Sequence, residues 1–326
     1  MPFDNLNNFQ TRKVNLGFLI LFTFLALAAT IFLPFISFVS LAVLPIPTAL
    51  LTLSKRFRDA IICAITGILL LFIFDYALAI AIIAIIIVIS FGYRYFVDRD
   101  KSPFISIVVI FLIFIGAILI YIAINSAINR NFFKDIIKGY SDYVNNLPDD
   151  PLVKNYQALA GISSEQFKQV LEQIQSILKF IPYLLPALGV VFFGIVSVIN
   201  YYVSSIIFKR YNISIKQLPN LKYWDLPWYL CWGIIAGIIL VIIPKFSTSF
   251  NNIIVISGYS LIIIFGILYL ILGIAVIWGI FDRFNTQINL RYIILALIVF
   301  IPGLMLLLPL LGLIDIWANF RKLNRS

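Results

Sequence analysis

The chain has 326 residues, 62% hydrophobic and 12% charged, with a formal net charge of +10. A water-facing fold has about half its residues apolar and about a quarter charged, so this composition leaves too little polar surface and excludes a soluble globular protein. The lack of histidine also removes zinc sites of the His/Cys type and His-activated nucleophiles.

In lipid a segment must satisfy its own backbone polar groups, so only helices and closed barrels span. Runs such as residues 77–90, ALAIAIIAIIIVIS, show none of the apolar–polar alternation of a barrel strand. The expected fold is therefore all-α, a polytopic bundle of eight or nine transmembrane helices in one integral membrane domain over 1–326. MPFDNLNNFQTRK is polar and runs into a long apolar span, which reads as an uncleaved anchor with a cytoplasmic N-terminus.

The first apolar block, Val14 to Leu53, is broken by Pro34 and by Pro45 and Pro47, and reads as two spans, the second short or partly unwound. Lys55, Arg56 and Arg58 follow, and basic loops stay in the cytoplasm. Ala60 to Tyr93 makes two short spans with Asp75 at or near the hairpin tip, and Phe104 to Ile124 is a clear span.

Between Asn129 and Lys179 six basic and six acidic side chains cancel, so the whole +10 lies elsewhere. This segment carries apolar stripes at helical spacing: Phe133, Ile136, Ile137, Tyr140, Val144; then Phe167, Val170, Leu171, Ile174, Ile177. LPDDP at 147–151 reads as a turn, and Ser163 with Gln166 as a capping box. Residues 126–180 are thus expected to form an extracytoplasmic amphipathic helical insertion.

Spans follow at Ile181–Phe208, 228–243 and 253–280, with LKYWDLPWYLCW (221–232) as an interfacial segment rich in Trp and Tyr. The link 282–291 precedes a final block, 292–318, interrupted by Pro302, Gly303 and Pro309. One final span would put Arg321, Lys322 and Arg325 outside, against the positive-inside rule. Either the block folds as a hairpin of two short pieces, or one paired span upstream is a single long one.

Charged groups at membrane depth are costly and face protein or water. Asp75 and Asp315 are the two acids so placed. Asp75 either reaches headgroups from a hairpin tip or faces an internal polar cavity. Asp315 precedes Arg321 by six residues, beyond same-helix pairing distance, so its partner is expected on another segment or beyond a helix break. The densest polar set within a span is NYYVSS, 200–205. Such residues either bond across helices or bind substrate, and the candidate substrate-binding residues are Asn125, Asn200, Tyr201, Tyr202, Ser204 and Asp75. Gly233 and Gly237 permit close helix approach. Cys63 and Cys231 read as small buried hydrophobes.

LPIPTALLTLSKRFRDAI (44–61), WDLPWYLCW (224–232) and GLIDIWANFRK (312–322) together resemble the YybS-like family of bacterial multi-pass membrane proteins. The motif positions are Pro45, Pro47, Trp224, Pro227, Gly312, Asp315, Phe320, Arg321 and Lys322; the family pattern is acidic where this chain has Asn319. That family is distantly similar to the substrate-binding S components of energy-coupling-factor transporters and to the rod-shape protein MreD. The resemblance implies about six core helices with additions, a small-molecule cavity near the outer face, and coupling to separate ATPase subunits.

The expectation is a transport-related component of the bacterial cytoplasmic membrane, without its own ATPase, cofactor, metal or catalytic site. Its partners would be the lipid bilayer, a solute and an energising or envelope complex, not nucleic acid. A non-catalytic scaffold that recruits envelope or signalling proteins is the alternative, and an intramembrane enzyme ranks last.

Overall fold

A computed structural model describes residues 15–69, 71–160, 164–243 and 251–323. Among them every regular element is helical. Four helices are long and apolar enough to cross a membrane, or five if a bent pair near the C-terminus counts as one span, so the protein is membrane-embedded. A total of eight or nine requires the shorter apolar helices to cross as well. The chain divides into two compact units, Met1–Lys138 with Phe192–Leu218 and Gly139–Val191 with Pro219–Ser326.

The first unit begins with α1 (Leu16–Phe32), capped by the Asn15 side chain, which accepts from Gly17 N–H. The second apolar piece is broken as expected, into α2 (Ser37–Val43) and α3 (Ile46–Leu53). Pro45 and Pro47 carry no N–H, so the carbonyls of Leu41 and Val43 lose their intrahelical donors there. Thr30 in α1 donates to the Ser40 hydroxyl in α2 at 2.9 Å. α4 (Phe57–Ile68) runs parallel to α1: Thr23 meets Cys63 at 3.4 Å, and Leu27 clusters with Ile68 and Leu71. α5 (Leu71–Phe74) is one turn, and Asp75 then caps α6 (Tyr76–Asp98).

A tight turn with Asp100 at φ 47° leads into α7 (Pro103–Ile128). Ser102 and Pro103 begin it as N-cap and first helical residue, the positions that favour those types. α11 (Ile181–Arg210) brings its C-terminal part into this unit, where Val196, Tyr201 and Phe208 pack with Ile46, Ile89, Tyr93, Ile110 and Phe114.

The amphipathic segment forms α8 (Phe132–Asn146), which enters the second unit at Gly139, then α9 (Pro151–Ala160) and α10 (Ser164–Leu178). α9 follows a short 3-10 turn at Leu147–Asp149, where the sequence pattern showed only a turn. The expected cap Ser163 lies outside the described residues. Tyr140 donates to the Leu178 carbonyl at 2.9 Å and Gln175 to that of Val144 at 2.9 Å, which ties α8 to α10.

The largest packing surface of this unit is built on α13 (Asn251–Arg283). Gly237 on α12 (Cys231–Ile242) lies against the Gly258 carbonyl, so the small-residue pattern serves packing within the chain. The final block is two pieces, α14 (Ile288–Phe300) and α15 (Pro302–Ala318), bent by 106°. A Cβ on Gly312 would fall on the Tyr269 carbonyl and one on Gly273 on the Leu308 carbonyl. Leu308 and Gly312 are one turn apart, as are Tyr269 and Gly273, and Arg321 follows on beside Gly279. α15 therefore runs parallel to α13, and α14 joins it through that bend.

Candidate functional site

The NYYVSS set divides by helix face. Asn200, Tyr201 and Ser204 are fully buried, while Tyr202 is 56% exposed. Asn200 Nδ2 donates to the Ala42 carbonyl at 2.6 Å, and its Oδ1 accepts from Tyr93 Oη at 2.7 Å. Ala42 O lies between the two carbonyls that Pro45 and Pro47 leave without donors, so Asn200 serves the break that the prolines make. Tyr201 Oη donates to the Lys216 carbonyl at 2.6 Å, fixing the loop after α11. Tyr93 stands in T-shaped contact with Phe208, ring centroids 5.0 Å apart. Asn200 and Tyr201 thus spend their polar groups on the protein's own backbone and on Tyr93.

Asp75 stands elsewhere in the same unit. As the N-cap of α6 its Oδ1 accepts from Leu78 N–H at 2.9 Å, and its Oδ2 accepts from Tyr121 Oη at 3.3 Å. Asn125, one turn further along α7, donates to the Tyr121 carbonyl at 2.9 Å. No lysine or arginine lies within salt-bridge distance of Asp75 among the described residues. A cavity of about 320 Å³ opens beside it, lined by Phe24, Leu27, Ala28, Ile31 and Phe32 of α1 and by Leu71, Asp75 and Leu78. Among the described residues Asp75 supplies the only charge in that lining.

A different polar centre closes the second unit. Asn319 ends α15 in the left-handed region at φ 45°, ψ 51°, which asparagine tolerates better than most residues. Its side chain donates to the Leu323 carbonyl and accepts from Leu323 N–H, at 2.9 and 2.8 Å. This turn folds Arg321 back onto its own helix, so Nε and Nη2 reach Asp315 Oδ2 at 3.0 and 2.8 Å. Of the two routes expected for Asp315, a partner on another segment or one beyond a helix break, the second is the one found: the break at Asn319 brings Arg321 to it.

Arg321 Nη1 also donates to the carbonyls of Lys222 and Trp224, and Asp225 lies 3.5 Å from Nη2. With side chains 2% and 0% exposed, Arg321 and Asp315 form a buried ion pair. Pro227 follows as the cap of a short 3-10 turn, Trp228–Leu230, that leads into α12.

Beside this knot Asp282 takes Lys222 at 2.7 Å and pairs with Arg291. The Asp282 carboxylate raises the Lys222 ammonium above the ordinary lysine range. A cavity of about 180 Å³ there is lined by Lys222, Tyr223, Gly279, Asp282, Arg321 and Leu323. Exposed Trp228 and Tyr229 in the 3-10 turn, Trp232 in α12 and Trp317 in α15 flank it, and such residues favour headgroup level.

The family described as Predicted membrane protein (DUF2232) matches residues 20–316. The chain belongs to this family. No curated protein and no solved structure matches it. The range matched to DUF2232 takes in Pro45, Pro47, Asp75, Asn200, Gly312 and Asp315.

Sequence reading did not single out Tyr93, Tyr121, Asp282 or Arg291. Tyr93 carried a signal, since Ile86, Ile89, Tyr93 and Phe96 share one face of α6. For Asp282 and Arg291 the signal was their separation along the link 282–291, which a tight turn closes through Asn285 at φ 51°.

Proposed function

We propose that this DUF2232 protein is a transport-related membrane component that binds a solute between α1 and the α5–α6 junction and has no motor of its own. The cavity beside Asp75 carries the reading: an apolar space with a polar group at its rim resembles the usual form of a small-molecule site. The reading keeps the resemblance to the YybS-like family and to S components, since α1, α2–α3, α4–α5, α6, α7 and the C-terminal part of α11 give the first unit six helical passes.

In this reading eight helices or broken helices cross the membrane and α14–α15 forms a re-entrant hairpin. Both termini are then cytoplasmic, which is consistent with Arg321 lying against the Lys222 loop and satisfies the positive-inside rule. Asp75 and the α8–α10 insertion fall on the outer side of a bacterial cytoplasmic membrane. No step of catalysis and no cofactor enters this reading.

Thermal unfolding of the purified protein in nanodiscs, screened against a panel of small solutes, tests it. A true ligand at a hundredfold its Kd adds about 2.7 kcal/mol. Failure of every solute class to raise the midpoint counts against transport. A scaffold is the second reading, favoured by the exposed apolar faces of α8 and α10 at Phe133, Ile136, Val170 and Ile177. Mild crosslinking in cells should then return a stable envelope partner.

A further inference from the structure

Resting on that solute-binding reading, we propose that the α1/α5–α6 groove takes a monocationic amphiphile, with its ammonium on Asp75 and one hydrocarbon arm along α1. Capping α6 occupies only Oδ1 of Asp75, and a serine or asparagine would cap equally well. The second oxygen receives one long bond of 3.3 Å from a neutral hydroxyl. A half-buried carboxylate at the rim of an apolar groove, with no lysine or arginine within salt-bridge distance among the described residues, is matched by a cationic ligand whose charge complements its own.

The shape agrees with the charge. The parallel register of α1 with α4 places Asp75 at the Ile31–Phe32 end of the groove. From there the apolar lining runs back to Phe24, a helical rise of about 12 Å, which suits a single arm of about ten carbons. The volume of about 320 Å³ holds one such arm. Phe32 also lines the cavity, and an aromatic ring attracts an ammonium group that reaches its face.

The test uses the full chain in phosphatidylglycerol nanodiscs, titrated with decylammonium, decanol and decyl sulfate, with thermal midpoint as the readout and protein-free discs as the partition control. Decylammonium should raise the midpoint at far lower concentration than the other two. Asp75→Asn should weaken that response by about tenfold or more, the loss of one charge-assisted bond, and bring it towards the weak decanol response. Leu27→Trp, which fills the groove, should abolish both.

Adding phosphatidylethanolamine to the discs and releasing the protein into a mass spectrometer separates a lipid ammonium from a free amine. Asp75-dependent retention of that lipid supports the same site with the headgroup as its source. Equal responses to the three probes, or an Asp75→Asn protein that binds decylammonium unchanged, overturn the cationic ligand while the transport reading stands. No response to any probe or to the wider solute panel overturns both.

Discussion

Asp315 has none of its side chain exposed and meets a guanidinium at 2.8 Å, whereas Asp75 is half-buried at a cavity wall and meets only neutral donors. Both stand in long apolar stretches, so local composition does not separate them. What separates them is the chain that follows. After Asp315 the helix breaks at Asn319 and returns Arg321; after Asp75 a helix of 23 residues leads away, and its first basic residue, Arg94, comes only near its far end. A buried carboxylate with its cation is part of the structure. A carboxylate without one, beside an apolar cavity, is where we propose that a ligand binds.

The sharpest way to break the comparison is to remove the cation. Arg321→Met strands Asp315 and leaves the Lys222 and Trp224 carbonyls without their donor, so unfolding in detergent should show a loss of about 3–5 kcal/mol. Combining it with Asp315→Leu should recover part of that loss, because a buried pair replaced by apolar residues is often neutral. Asn200→Leu should cost about 1–3 kcal/mol for each buried group left unpaired, here Ala42 O and Tyr93 Oη, read as a lower thermal midpoint. Gly312→Ala should cost about 1–3 kcal/mol through forced separation of α13 and α15.

Asp75→Asn should sit at the other end, below about 1 kcal/mol, because asparagine caps a helix nearly as well as aspartate. The smallest effect belongs to Lys222. Its raised pKa means that the ion pair with Asp282 contributes fully below the ordinary lysine value and is lost as pH rises through the raised one. Lys222→Met and the parent protein should therefore converge in stability at strongly alkaline pH.

Much of the helical order was legible because hydropathy and basic loops mark where apolar segments begin and end. The proline break at Pro45–Pro47 and the hairpin option at Pro302 could be read for the same reason, since proline removes a donor wherever it stands. The site was far less legible. Asn200 and Ala42 are 158 residues apart, and nothing local to NYYVSS says that its amide serves a break in another helix. Asn319 looked like a departure from an acidic pattern, yet its amide both donates to and accepts from Leu323, which a carboxylate could not do. The cavity beside Asp75 was invisible, because it lies between α1 and the α5–α6 junction, which the chain reaches only after α2, α3 and α4.

Labelling with a hydrophobic carbodiimide, followed by peptide mass spectrometry, tests the contrast between the two acids most directly. The reagent reaches carboxyl groups from the apolar phase and reacts with those not held in an ion pair. Asp75 should be modified, decylammonium should protect it, and Asp315 should remain unmodified in the folded protein. Modification of Asp315 with Asp75 untouched would contradict the account.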